Sequence, residues 1–241
     1  MRDFTYPMSA IEFTGLTKRY KHLTALDNIT FEVAERKVTG LFGPNGAGKS
    51  TALKCLLGLA APTSGSATFS GRPYSEIENP LTYVGALLDT RSFIPGITGR
   101  NNLKIEAAVA GVGDARIEEV LELVDLTEHA DRKFKEYSLG MKQRLGLATA
   151  LIGSPKVLIL DEPGNGLDPI GIVWLRNFLR KYADAGNSVF ISSHQLAEMQ
   201  HTVDDVVILH KGKLLASGTK DDVCQGQGLE DAFLRIVGVT L

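Results

Sequence analysis

Nine consecutive residues, Gly43-Pro44-Asn45-Gly46-Ala47-Gly48-Lys49-Ser50-Thr51, set glycines, one amine and two hydroxyls in the order G-x-x-x-x-G-K-[ST]. Residues of these types at this spacing bind a chain of phosphates. Glycine lets backbone N–H groups close on an anion, because a β-carbon would block their approach. Gly43, Asn45, Gly46 and Gly48 shape the loop, and Lys49 is the group to reach β- and γ-phosphates. The Ser50 hydroxyl suits Mg2+, and Thr51 adds a phosphate contact.

A second set of groups closes the segment Val157-Leu158-Ile159-Leu160-Asp161-Glu162-Pro163. Four apolar residues followed by two acids describe a buried parallel strand that presents carboxylates at its C-terminal edge. Asp161 suits the shell of Mg2+, a hard cation that takes oxygen donors. Glu162, one residue on, can polarise an attacking water as general base. Taken with the phosphate loop, the pair makes a hydrolysis site.

The elements that must position these groups read as an α/β chain. Residues 37–42 form an apolar strand running into the loop, and a helical run at 50–59 leaves it. Ahead of them, 11–13 and 29–33 alternate like strands of a half-buried antiparallel sheet, and 66–69 reads as another short strand. From 99 to 152 the periodicity turns helical, at 102–109, 115–124 and 142–152, with no strand between these runs. Strands return at 157–160, 188–192 and 206–209, with a helix at 174–182. The turn Lys211-Gly212-Lys213 leads into 214–216. This order predicts a single domain over 1–241 with a mostly parallel sheet. Its core, with the N-terminal antiparallel β-subdomain, covers about 10–88 and 155–241, and a helical insertion covers about 89–154.

At 241 residues the chain can bury a sizeable core. A formal net charge of -2 gives no overall pull toward nucleic acid or anionic lipid, so no nucleic-acid partner is expected. No run approaches the roughly 20 apolar residues that span a bilayer. The N-terminus lacks the charged-then-apolar order of a signal peptide, and Met8 is an alternative start behind a loose leader. Any membrane role therefore requires docking onto the spans of another protein. Cys55 and Cys224 lack metal-ligand spacing and read as reduced thiols of a cytosolic protein.

With these motifs in this order, the chain resembles the ATP-binding cassette (ABC) ATPases over nearly all of its length. Tyr137-Ser138-Leu139-Gly140-Met141 lies where that family carries its signature, Leu-Ser-Gly-Gly-Gln, just before an amphipathic helix. The resemblance implies a P-loop NTPase core, ATP and Mg2+ as ligands, and a face-to-face dimer. In it Ser138 and Gly140 bind the γ-phosphate of ATP held by the other subunit. Read from its residues alone, Ser138 is an N-cap whose helix offers N–H groups and dipole to an anion. Leu139 and Met141 replace the usual Gly and Gln, and a backbone with φ > 0 at Leu139 would be strained.

The resemblance assigns further positions. Glu162-Pro163-Gly164-Asn165-Gly166-Leu167-Asp168 is similar to the family's D-loop, with Asp168 expected to couple the two sites across the dimer. His194, ending Ser192-Ser193-His194, matches the histidine that holds the γ-phosphate and the attacking water. His22, His129, His201 and His210 read as incidental. Tyr20 matches the aromatic residue that stacks on adenine. Where the family places a Mg2+-sensing Gln, this chain has Asp89, which still offers oxygen but cannot donate when ionised.

An acidic residue there, with the Tyr-Ser-Leu-Gly-Met signature, resembles the branch that exports antibiotics, lantibiotics and related peptides. The expected function is therefore an ATP-hydrolysing subunit, peripheral on the cytoplasmic face of the membrane, that drives export through a separate transmembrane permease. It would pair with a second copy or with a paralogue. The alternatives are a soluble ABC ATPase without a transport role, or a nucleotide-dependent regulatory switch. The first typically carries two cassettes or a long coiled coil, and the second does not need Glu162 and His194.

Overall fold

A computed structural model describes residues 9–88 and 93–238. Along the chain these form β1 (Ser9–Tyr20), β2 (Leu23–Ala34), β3 (Val38–Phe42), α1 (Lys49–Leu56), β4 (Ser64–Phe69), α2 (Pro80–Tyr83) and β5 (Val84–Leu87). Helices α3 (Gly99–Ala110), α4 (Asp114–Leu123) and α5 (Leu139–Leu151) follow, then β6 (Val157–Asp161), α6 (Pro169–Asp184) and β7 (Ser188–Ser193). The chain closes with α7 (Leu196–Met199), β8 (Asp205–His210), β9 (Lys213–Thr219), α8 (Lys220–Cys224) and α9 (Leu229–Val237). Two compact units result, one built from the described residues up to Ile77 together with Arg176 onward, the other from Glu78–Leu175.

The first unit holds an antiparallel sheet in the order β2-β1-β4 and the strands β7, β3, β8 and β9. In the antiparallel sheet, Ile11 faces Val33, Phe13 faces Phe31 and Leu16 faces Ile29. All six are buried, as period-2 alternation requires of a sheet with one covered face. Phe13 stacks on Phe31 at 4.4 Å, and both tilt against Phe190 of β7 at about 6 Å. Those rings join the antiparallel sheet to the parallel strands. Strand β3 lies between β7 and β8, parallel to both, and is buried along its whole length. A continuous Val-Thr-Gly-Leu-Phe run suits a strand covered on both faces.

The second unit pairs β5 with β6 in parallel, Val84 against Val157 through Leu87 against Leu160. Around them α3, α4 and α5 bury Leu103, Ala107, Ile117, Val120, Leu121, Leu145 and Ala148. Helix α3 begins at Thr98, whose hydroxyl accepts from the Asn101 N–H at 3.1 Å, and ends at Gly111 with φ 70°. The α/β architecture and the helical stretch therefore follow the sequence expectation. Strand β5 does not, because four residues with a glycine second carry little strand signal. The helix expected at 50–59 stops at Leu56, and α7, α8 and α9 are additions. Cys55 and Cys224 are free and buried, and burial pushes both thiols up.

Candidate functional site

Strand β3 ends at Phe42, and the phosphate loop leaves it at Gly43. Phe42 stands in register with Ser193 of β7 and Ile208 of β8. Gly43 and His194 therefore leave neighbouring parallel strands at the same edge, where α/β sheets bind their ligands. The loop turns into α1 at Gly48, whose φ of 108° excludes most side chains. A β-carbon on Gly48 would also lie 2.6 Å from the Ala25 carbonyl oxygen and 2.7 Å from Leu26. No side chain caps α1, and no acid sits in its first turn. Its leading N–H groups and positive end are thus left for an anion.

Lys49 decides what the loop is for. It is only 6% exposed, and its Nζ donates to the Gly43 carbonyl at 2.7 Å. Burying an ammonium is costly unless it is paired and hydrogen-bonded, so its place under the loop is specific. Pro44, Asn45, Gly46 and Ser50 are exposed, Thr51 half-buried. Support comes from a place that sequence reasoning missed. In the turn between β8 and β9, the Gly212 N–H donates to the Ala47 carbonyl at 3.0 Å, and the Gly212 carbonyl accepts from Asp27 N–H at 2.8 Å. The turn was legible as Lys211-Gly212-Lys213, but nothing local ties it to the loop.

Tyr20 ends β1 beside Leu23 of β2 and is 42% exposed. Tyr20, the loop 43–51 and His194 all belong to the first unit. Asp161, Glu162, Ser138, Gly140 and Asp168 belong to the second. Asp89 lies outside the described residues.

In the second unit Asp161 closes β6, half-buried after four buried residues. Glu162 follows at φ 52°, a left-handed conformation that costs a non-glycine residue about 1–2 kcal/mol. That backbone reversal starts the turn in which Asn165 N–H reaches the Glu162 carbonyl and Leu167 N–H the Gly164 carbonyl. Asp168 ends the turn as the cap of α6, its Oδ1 accepting from the Gly171 N–H at 2.7 Å, with Pro169 next in line.

Ser138 caps α5 as expected, its hydroxyl accepting from the Met141 N–H at 3.2 Å. Leu139 does not meet the condition for strain. It is the first residue of α5, in ordinary right-handed conformation, so the replacement of glycine strains nothing at that position. The constraint moves to Gly166 instead. At φ 80° it sits against the Leu139 side chain, which occupies the place a β-carbon would take. A β-carbon on Gly140 would stand 3.3 Å from the Gly166 carbonyl oxygen, so the start of α5 and the 162–168 turn touch. Tyr137 is buried, its hydroxyl donating to the His129 carbonyl at 2.8 Å, which fixes the entry to α5.

A sequence profile of the ABC transporter family matches residues 26–165, from the second strand through the Asp161–Glu162 turn. The chain belongs to the ABC transporter family. The cassette is 44% identical, over 208 residues, to the bacitracin transport ATP-binding protein BcrA of Enterococcus faecalis, covering 85% of this chain and 68% of that protein. It is 40% identical over 223 residues to the lantibiotic transport ATP-binding protein SrtF of Streptococcus pyogenes, covering 92% and 95%. A solved ATP-binding subunit of an ABC transporter superposes with a TM-score of 0.85 at 28% identity, over 95% of this chain and all of that one. The cassette is an ATP-binding, ATP-hydrolysing subunit of the transporter type. Among the described residues no helix is long and apolar enough to cross a membrane.

Proposed function

We propose that the cassette energises export of an antibiotic peptide or similar compound through a separate membrane permease, as one half of a face-to-face dimer. The observation that carries the reading is the buried Lys49 amine inside an uncapped glycine loop, on a chain similar to the bacitracin and lantibiotic transport proteins. ATP would lie along residues 43–51, with its adenine on Tyr20. Glu162 would hold and deprotonate the attacking water, and His194 would keep that water and the γ-phosphate in place.

Ser50 and Asp161 fit Mg2+. A hydroxyl and one carboxylate are the hard oxygen donors this ion takes beside phosphate oxygens. Mg2+ held there would supply positive charge that neutralises the phosphates. Asp89 is proposed as a further oxygen near it.

Support for the dimer comes from α5. Ser138 is exposed, and the helix start presents N–H groups beside the 162–168 turn. Leu139, Ile170 and Val173 add exposed apolar surface in the same unit. A second copy, or a paralogue, would bring this helix start to the γ-phosphate. The 89–154 segment would meet the permease at the inner face of the membrane.

Two measurements test the proposal. Glu162→Gln keeps the site's shape and removes the base, so light scattering after size exclusion should show a dimer with ATP and a monomer without it. A monomer under both conditions counts against the dimer. Co-expression of the cassette with its permease should raise the bacitracin or lantibiotic concentration that inhibits growth, and Lys49→Ala should abolish the rise. Unchanged sensitivity with the intact pair rules out this cargo class.

A further inference from the structure

Lys18 and Tyr20 stand two residues apart in β1, so the pleat sets both side chains on one face of the strand. Lys18 Nζ lies 4.6 Å from the centroid of the Tyr20 ring. Its amine is tethered from the other side as well, donating to the Ala61 carbonyl at 2.8 Å. Ala61 follows the C-terminal end of α1, whose N-terminal end carries the phosphate loop. The cation therefore links the aromatic residue to the segment that leaves the phosphate-binding helix.

An aromatic ring at the exposed end of a strand has torsional freedom that stacking must remove. A cation held over one face removes part of it in advance. It also settles the geometry, since a ring has two faces and the base must take the one that Lys18 leaves. We propose that Lys18 is a positioning residue for the nucleobase, holding Tyr20 as a one-sided platform. The inference rests on the reading of Tyr20 as the stacking residue.

Stacking on an aromatic face tolerates any base, because every base offers a π-face. Lys18 should therefore matter to ATP and GTP alike, and not to a triphosphate lacking a base. The size of the effect follows from an exposed cation–π contact, about two- to fivefold in affinity.

Calorimetric titration of the full chain with MgATP, MgGTP and inorganic tripolyphosphate reads this directly. Lys18→Met removes the charge and keeps the stem. ATP and GTP should bind about two- to fivefold more weakly, with tripolyphosphate unaffected; the KM for ATP should rise by the same factor while kcat holds. Lys18→Arg, which retains a cation able to lie over the ring, should restore affinity, separating position from folding. In a Tyr20→Ala background, Lys18→Met should change nothing further. The proposal is overturned if Lys18→Met leaves ATP affinity intact, or weakens tripolyphosphate equally. If Tyr20→Ala itself leaves ATP affinity intact, the stacking reading falls and the proposal with it. If Tyr20→Ala weakens ATP and Lys18→Met does not, Lys18 alone has no such role.

Discussion

The phosphate loop and the turn that faces α5 are both glycine-containing reversals, yet their sequences relate to the family pattern in opposite ways. In the loop Gly43 and Gly48 are fixed by what surrounds them. Gly48 has the Ala25 carbonyl and Leu26 where a β-carbon would go, and Lys49 is buried against the loop's own carbonyl. Gly46, by contrast, has open space around it and is held to glycine by its φ of 82° alone, and the motif stands complete. Around α5 the family's glycine is Leu139, and the structure absorbs the change because that residue is helical. The added side chain rests on Gly166, which thereby becomes the residue that cannot change. A departure from a motif is harmless where the backbone is ordinary, and it transfers the constraint to whatever the new side chain covers.

The largest expected effect would sharpen the loop's half of the comparison. Lys49→Ala removes a buried charged donor, worth about 1.5–3 kcal/mol, so ATP affinity should fall about 10- to 100-fold. Unaltered affinity by calorimetry would break the assignment of residues 43–51. Next in size is Gly166→Ala, which forces a β-carbon into a left-handed residue and against Leu139. A loss of about 2 kcal/mol, seen as a Tm lower by roughly 4–8 °C, is expected. Leu139→Gly in that background should recover part of the loss, and no recovery would disprove the transfer of constraint. The smallest effect belongs to Asp168. Asp168→Ala should cost about 1 kcal/mol as a lost helix cap, while Asp168→Asn, which still accepts from Gly171 N–H, should keep the wild-type Tm. Equal destabilisation by both would mean that charge, and not capping, is what the position needs.

How much of this was legible in the sequence divides along the same line. The loop between β3 and α1, and the strand that ends at Asp161, could be read because a glycine-rich break after an apolar run, and an apolar run closed by acids, stand out at short spacing. The buried faces of β1 and β2 could be read from alternation alone. What escaped depended on contacts distant in sequence. Gly212 supports Ala47 from 165 positions downstream, and the hydrogen bond is between backbones, so no side chain announces it. Strand β5 takes its identity from β6, not from its own four residues. The resemblance assigns Asp168 to a partner subunit, whereas the order Asp-Pro is also a helix start, and in the fold Asp168 caps α6. Leu139 would be strained only with a left-handed backbone, which its residue type alone does not decide. Its backbone is helix.

Glu162 tests the central claim of ATP hydrolysis most directly. Its backbone turns left-handed directly after β6, a local strain of the kind that clusters at functional sites. The measurement is ATP binding and ATP turnover on one preparation of Glu162→Gln. Affinity within about twofold of wild type, with turnover lower by about 100-fold or more, is the expected result. Turnover at the wild-type rate, or loss of binding together with turnover, would contradict the assignment of Glu162 as the base.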